Sequence, residues 1–82
     1  MSDQQIFTEI VAILTPFVKA NADAITLESS ILKDLQVNSA RLVDIVIEIE
    51  DKFGIEVKDD DADTIRTVGD AVALVKAKQA AA

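Results

Sequence analysis

Apolar residues recur at three- and four-residue steps near the start of the chain. Ile6, Ile10, Leu14 and Phe17 form one stripe, with Phe7, Val11 and Val18 beside it. That period predicts an amphipathic helix. Just ahead, Ser2-x-x-Gln5 has the form of a capping box, in which each side chain satisfies a backbone N–H at the helix start. Pro16 lacks a backbone donor and should kink or end the helix in its last turn, so the expected helix covers about Asp3 to Val18. From Ala20 to Asn38 the composition turns polar, with Ile25, Leu27, Ile31, Leu32 and Leu35 spaced through it as anchors. A structureless connection of that length is unusual in a compact domain, which predicts a short helical turn around Ile31 to Leu35.

A second helix is expected from Ser39 to about Phe53, closed by Gly54, with Leu42, Ile45, Val46, Ile49 and Phe53 as its core stripe. "DDDADTI" suggests a short helix whose acids lie near its positive N-terminal end. "TVGDAVALVKA" gives the last one. Thr67-x-x-Asp70 can cap it, and Val68, Ala71, Val72 and Val75 face inward. The Ala-rich "KAKQAAA" reads as a frayed tail. The expected architecture is all-α, a small four-helix bundle of three main helices and one short one. It is a single domain over residues 1–82, with its ordered core at about 3–77.

A chain of 82 residues buries only roughly 60% of the surface it exposes when unfolded, so the core must be simple. Half the residues are hydrophobic and only three are aromatic, which leaves aliphatic side chains to interlock between helices. Cysteine and histidine are both absent. That excludes disulfides, thiolate nucleophiles, zinc-type ligand sets and the usual general base near neutral pH. The net charge of -7 and scattered basic residues oppose nucleic acid binding and favour partners with basic faces. No apolar stretch approaches the roughly 20 residues of a membrane span, so no membrane insertion is expected. The start "MSDQQIF" lacks the basic end and apolar run of a signal peptide. A cytoplasmic monomer is expected.

Ser39 stands where the polar turn gives way to the second helix. Serine is among the best helix caps, and capping alone could explain it. Asn38 caps equally well, however, and one cap suffices. If Asn38 takes that role, the Ser39 hydroxyl is free in the first turn, where the unpaired N–H groups and the positive helix end suit an attached phosphate. Val43 and Ile47 follow at i+4 and i+8 on the ridge of Ser39, beside the core stripe, with Asp44, Glu48, Glu50 and Asp51 around them. An apolar ridge rimmed by acid is what a docking helix shows to a groove with a basic border.

The stretch "SSILKDLQVNSARLVDIVIEIEDKFGIEVKDDDADTIRTVGDAV" resembles the acyl carrier proteins. Their pattern is an Asp-Leu-Gly-x-Asp-Ser-Leu segment, an acidic-apolar helix, a Phe-x-Ile-Glu-Ile turn and a Thr-Val-Gly-Asp-Ala start to the last helix. The match runs without gaps from about Ser30 to Val75. The resemblance implies that the chain is not an enzyme. It implies 4'-phosphopantetheine esterified to Ser39, transferred from coenzyme A by a phosphopantetheinyl transferase, with acyl intermediates held as thioesters on its thiol. The borrowed thiol also accounts for the missing cysteine. It further implies docking of acyl-loading and acyl-transferring enzymes of fatty acid, lipid or specialised acyl metabolism through Asn38, Ala40, Arg41, Val43, Asp44, Ile47, Glu48 and Asp51. An acyl chain folded among the helices would meet Leu42, Val46, Ile49, Ile65 and Ala71.

The chain departs from the pattern with Asn38 for Asp, Ala40 for Leu, Gln36 for Gly, Arg41 among the acids and Lys58 where Pro is common. These changes point to a specialised carrier with dedicated partners. Two alternatives remain: an aminoacyl, peptidyl or polyketide-type carrier, and an unmodified acidic module that regulates a partner through its second helix. Peptidyl carriers usually show Gly-Gly-x-Ser rather than "VNSA". Asp59, Asp61 and Asp63 alternate, with Asp70 twelfth from Asp59, but an EF-hand fails because Thr64 replaces the turn glycine and the final Glu is missing. Weak divalent binding at Asp59, Asp60 and Asp61 is the remaining metal expectation. Glu9 and Glu28 read as surface acids.

Overall fold

The computed structural model describes residues 2–19 and 21–81, apart from the side chains at positions 22 and 81. Met1, Ala20 and Ala82, which the expected domain includes, lie outside the described residues. Four α-helices follow one another: α1 (Asp3–Leu14), α2 (Ser39–Phe53), α3 (Asp59–Asp63) and α4 (Val68–Ala81), with 3-10 turns at Thr15–Phe17 and Ala22–Ala24. The expected all-α bundle of three main helices and one short one is the observed architecture.

The capping box predicted for α1 is present, with Ser2 Oγ accepting from the Gln5 N–H at 3.2 Å and Gln5 Oε1 accepting from the Ser2 N–H at 2.8 Å. Its α-helical part is shorter than expected and ends at Leu14. Pro16 has no N–H to continue the α ladder, and the chain tightens into the 3-10 turn that holds Pro16. At the far end of the chain α4 continues through most of the Ala-rich tail to Ala81.

Ile6, Ile10 and Leu14 of α1, Ile45, Val46 and Ile49 of α2, and Val68, Ala71, Val72 and Val75 of α4 form the core together with Ile25, Ile31, Leu35, Val37 and Ile65. The anchors of the long connection that reach this core are thus Ile25, Ile31 and Leu35. Leu27 and Leu32 are instead exposed, at 51% and 46%. The helical turn expected at Ile31 to Leu35 is a hydrogen-bonded turn. Asp34 and Leu35 both donate to the Ser30 carbonyl, at 2.9 and 3.0 Å, while Asp34 Oδ2 accepts from the Ser30 N–H at 2.7 Å. The Ser30 ends are thereby satisfied locally without continuing a helix.

Backbone bonds join this connection to the entry of α4. Ile31 N–H donates to Arg66 O at 3.0 Å, Val68 N–H to Ser29 O at 3.1 Å and Gly69 N–H to Leu27 O at 2.8 Å. Ser30 and Thr67 form an isolated antiparallel bridge. The first N–H groups of a helix lack partners within it, and here loop carbonyls satisfy two of them. The Thr67–Asp70 capping box serves others: Asp70 Oδ2 accepts from the Thr67 N–H at 3.1 Å, and Thr67 Oγ1 accepts from the Asp70 N–H at 3.1 Å.

Candidate functional site

The bounds of α2 are set by its two ends. Asn38 is the N-cap, in an extended conformation, and its Oδ1 accepts from the Arg41 N–H at 2.9 Å. Gly54 closes the helix at φ 63°, in the left-handed region that glycine enters without strain. Asn38 therefore does the capping. Ser39 is the first residue of the helix, exposed, and its hydroxyl makes no hydrogen bond among the described residues.

Ser39 lines an apolar groove of about 610 Å³ between α2, α3 and the Leu32 and Ile65–Arg66 segments. The α2 residues along it are Ser39, Leu42, Val43, Val46, Ile47 and Glu50. Their spacing of three, four, seven, eight and eleven residues from Ser39 traces one helical face. Val43 and Ile47, expected on the ridge of Ser39, are exposed at 59% and 55% and form part of this face. A hydrocarbon placed there would cover them. Of the expected acyl walls, Leu42, Val46 and Ile65 line the groove. Ile49 and Ala71 do not. Both are 2% exposed in the helical core, because Ile49 shares the side of α2 that carries Ile45 and Ala71 faces inward from α4. The sequence reading missed Leu32, Val57 and Ala62 as groove residues, since helical periodicity within α2 says nothing of what a loop and a short helix bring against it.

Asp44, Glu48 and Asp51 are exposed on α2, and Ala40 and Arg41 are exposed in its first turn. Arg41 pairs with Asp44 at 3.6 Å, so its charge is partly answered within the helix. Glu50 serves the fold itself, since its Oε2 accepts from the Val57 N–H at 3.0 Å and holds the turn after α2. Glu9, expected as an ordinary surface acid, pairs with Lys52 at 3.1 Å.

The three aspartates considered for divalent binding do not assemble a site. Asp61 pairs with Lys78 at 2.8 Å and accepts from the Lys58 N–H at 3.2 Å, so its carboxylate is already engaged. Its carboxyl is held below the usual range by the Lys78 hydrogen bond first and the Lys58 backbone bond second. Among the described residues no group of three or more His, Cys, Asp or Glu could hold a metal ion. Asp70 is lowered as well, chiefly by the Thr67 N–H it caps.

The site thus offers a free hydroxyl at a helix start and, lined by it, a largely apolar groove with Glu50, Asp59, Asp63 and Arg66 at its edges. It can be modified by another protein and can shelter an aliphatic chain. Among the described residues no helix is long and apolar enough to cross a membrane.

Residues 8–75 match the family described as the phosphopantetheine attachment site. The chain is 38% identical over 79 residues to an acyl carrier protein of Lactobacillus acidophilus, covering 96% of this chain and 99% of that one. It is 37% identical over 71 residues to one from Helicobacter acinonychis, covering 87% and 91%. In three dimensions it is similar to the acyl carrier protein of Enterococcus faecalis, a structure described for its high thermal stability. That likeness has a TM-score of 0.82 and 32% identity over 95% of this chain and 99% of that one.

Proposed function

The chain belongs to the acyl carrier protein family, and on that premise we propose that Ser39 is the residue that bears its 4'-phosphopantetheine. As a family member it is a carrier, not an enzyme. It is served by a phosphopantetheinyl transferase and exchanges acyl groups with acyl-handling enzymes. The observation that carries the assignment is the free Ser39 hydroxyl, left unbonded because Asn38 caps α2, at the lip of the apolar groove.

The residues present fit the group. In the transfer, Ser39 Oγ loses its proton to a base of the transferase and forms a new bond to phosphorus. The pyrophosphate bond of coenzyme A breaks, and the adenosine bisphosphate half leaves. Among the described residues no side chain hydrogen-bonds Ser39 Oγ and the chain has no histidine, so the base is assigned to the other protein. Once bound, the arm supplies a thiol for thioester formation. The chain's own part is to hold the anchor at a rigid helix start and to exclude water from an aliphatic cargo against Leu42, Val46 and Ile65.

In this reading the exposed Val43 and Ile47, with Asp44, Glu48 and Asp51 around them, form the docking face for partners with basic borders. Asn38, Ala40 and Arg41 tune which partners fit. Ala40 offers little side chain to a pocket, and Arg41 places a cation in an acidic field, which supports a specialised carrier with dedicated enzymes in fatty acid, lipid or related acyl metabolism. The reading also places the protein in the cytoplasm, as a monomer. The test is an intact mass after incubation with coenzyme A and a broad-specificity phosphopantetheinyl transferase. A gain of one phosphopantetheine that is lost in Ser39→Ala is expected. A gain retained in that variant would move the site elsewhere. No gain with several transferases would favour an unmodified regulatory module.

A further inference from the structure

We propose that Arg66 is the residue that holds the phosphodiester of the arm on Ser39 and sets the direction in which the arm leaves it; this rests on the assignment of Ser39 above. Arg66 is the one basic residue among those lining the groove that begins at Ser39. Its side chain is exposed and forms no ion pair among the described residues. Of the other seven cations, four are paired, Arg41 to Asp44, Lys52 to Glu9, Lys76 to Asp3 and Lys78 to Asp61, and Lys19, Lys33 and Lys58 do not line the groove. In a chain with a surplus of seven negative charges, an unpaired guanidinium beside acids calls for an explanation.

Backbone connectivity places Arg66 at the Ser39 end of the groove. Ile31 donates its N–H to Arg66 O at 3.0 Å and accepts at its own carbonyl from the Val37 N–H at 3.0 Å. Val37 is two residues before Ser39, so a single residue pins both the Arg66 backbone and the approach to Ser39. Leu32, next to Ile31, lines the same groove. Glu50 and Val57 lie toward the other end, since eleven residues of α2 separate Ser39 from Glu50, a rise of about 16 Å.

Three carboxylates lie near enough to compete for Arg66; its charge acts weakly on Asp70, the last of the causes that lower that carboxyl, but none of the three forms an ion pair with it. Asp70 Oδ2 is occupied by the Arg66 and Thr67 N–H groups, at 3.2 and 3.1 Å. Asp59 and Asp63 line the groove but form no ion pair with Arg66 within 4.0 Å. A phosphodiester at Ser39 adds an anion that keeps its charge in acid where a carboxylate has taken up its proton, and offers oxygens in the fork geometry a guanidinium matches. Pairing there would turn the arm across the mouth of the groove and lay what it carries along Leu42 and Val46. Arg66 is thus a positioning residue for the arm.

The test compares apo and holo protein, with loading confirmed by intact mass, in the native chain, in Arg66→Gln and in Arg41→Gln. Thermal stability and the phosphorus-31 chemical shift are read at low and high salt. The native holo form should melt about 2–4 °C above the apo form at low salt, the scale of one exposed ion pair in a small domain. That gain should fall away in high salt and in Arg66→Gln, but persist in Arg41→Gln. The phosphorus signal should move in Arg66→Gln alone. Equal apo-to-holo gains and one phosphorus shift in all three chains would overturn the role of Arg66 while leaving Ser39 intact. A failure to load at all would instead strike the Ser39 assignment.

Discussion

Replacing Gly69 by Ala sets two physical effects against each other. Gly69 is the second residue of α4, and alanine in a helix interior is favoured over glycine by up to about 1 kcal/mol. At the open first turn only part of that gain applies. Against it, a Cβ at Gly69 would stand 2.9 Å from the Leu27 carbonyl oxygen, a backbone atom that cannot rotate away. Relief requires the loop to back off, which loosens the bonds from Gly69 N–H to Leu27 O at 2.8 Å and from Val68 N–H to Ser29 O at 3.1 Å. Each is worth about 0.5–1.5 kcal/mol net, and more if a buried group is left unpaired. The contact should win. Gly69→Ala is expected to lose about 1–2 kcal/mol, or roughly 4–16 °C in Tm for a domain of this size. Far-UV circular dichroism in urea is the assay, because the chain has no Trp or Tyr for fluorescence. Gly54→Ala is the comparison. It has open space around it but φ 63°, so its cost of about 1 kcal/mol comes from the backbone and should be partly recovered by Asn, which tolerates that region. A Gly69→Ala protein as stable as the native chain would refute the tight seam between the Leu27 loop and α4.

Gln36 sits at φ 54°, where an L side chain costs about 1–2 kcal/mol. Gly there loses about 0.4–1 kcal/mol through the freer unfolded chain, so Gln36→Gly should stabilise by about 0.5 kcal/mol; a lower urea midpoint would contradict this. The carboxyl of Asp70 is depressed below its ordinary 3.8, so its contribution is fully present above that pH and is lost as pH falls through the lower folded value. Asp70→Asn should therefore melt below the native chain at pH 7, with the gap closing under about pH 4; a gap unchanged by acid would show that the cap does not depend on charge. Holo protein loaded with saturated acyl groups of increasing length should rise in Tm until the groove of about 610 Å³ is filled, and a flat series would mean the cargo stays outside.

The elements that could be read from the sequence are those whose ends are chemically marked close at hand. Asn38 and Gly54 bound α2 at the expected residues, and the Ser2–Gln5 and Thr67–Asp70 boxes start α1 and α4. Where the outcome depended on distant partners, the sequence was less informative. The Ile31–Leu35 segment has the apolar spacing of a helical turn, yet its neighbour Ser30 pairs across the fold with Thr67. Periodicity on α2 separated buried from exposed positions but could not divide the buried side into core and groove, which is why Ile49 was expected beside Val46 at the cargo. Glu50 counted only among the acids around the ridge, and its bond to the Val57 N–H could not be read from α2 alone. Ser39 stood between these cases: the sequence offered Asn38 and Ser39 as equal caps, and the Asn38 bond to the Arg41 N–H settles which one takes the role.

The most direct measurement locates the modification. Trypsin cuts after Lys33 and Arg41, which releases the peptide Asp34–Arg41, and Ser39 is its sole hydroxyl residue. After loading from coenzyme A, mass spectrometry of the digest should find one phosphopantetheine on that peptide and none on those holding Ser2, Ser29 or Ser30. The adduct on any other peptide, or an unmodified Asp34–Arg41 after full loading of the chain, would contradict the assignment of Ser39.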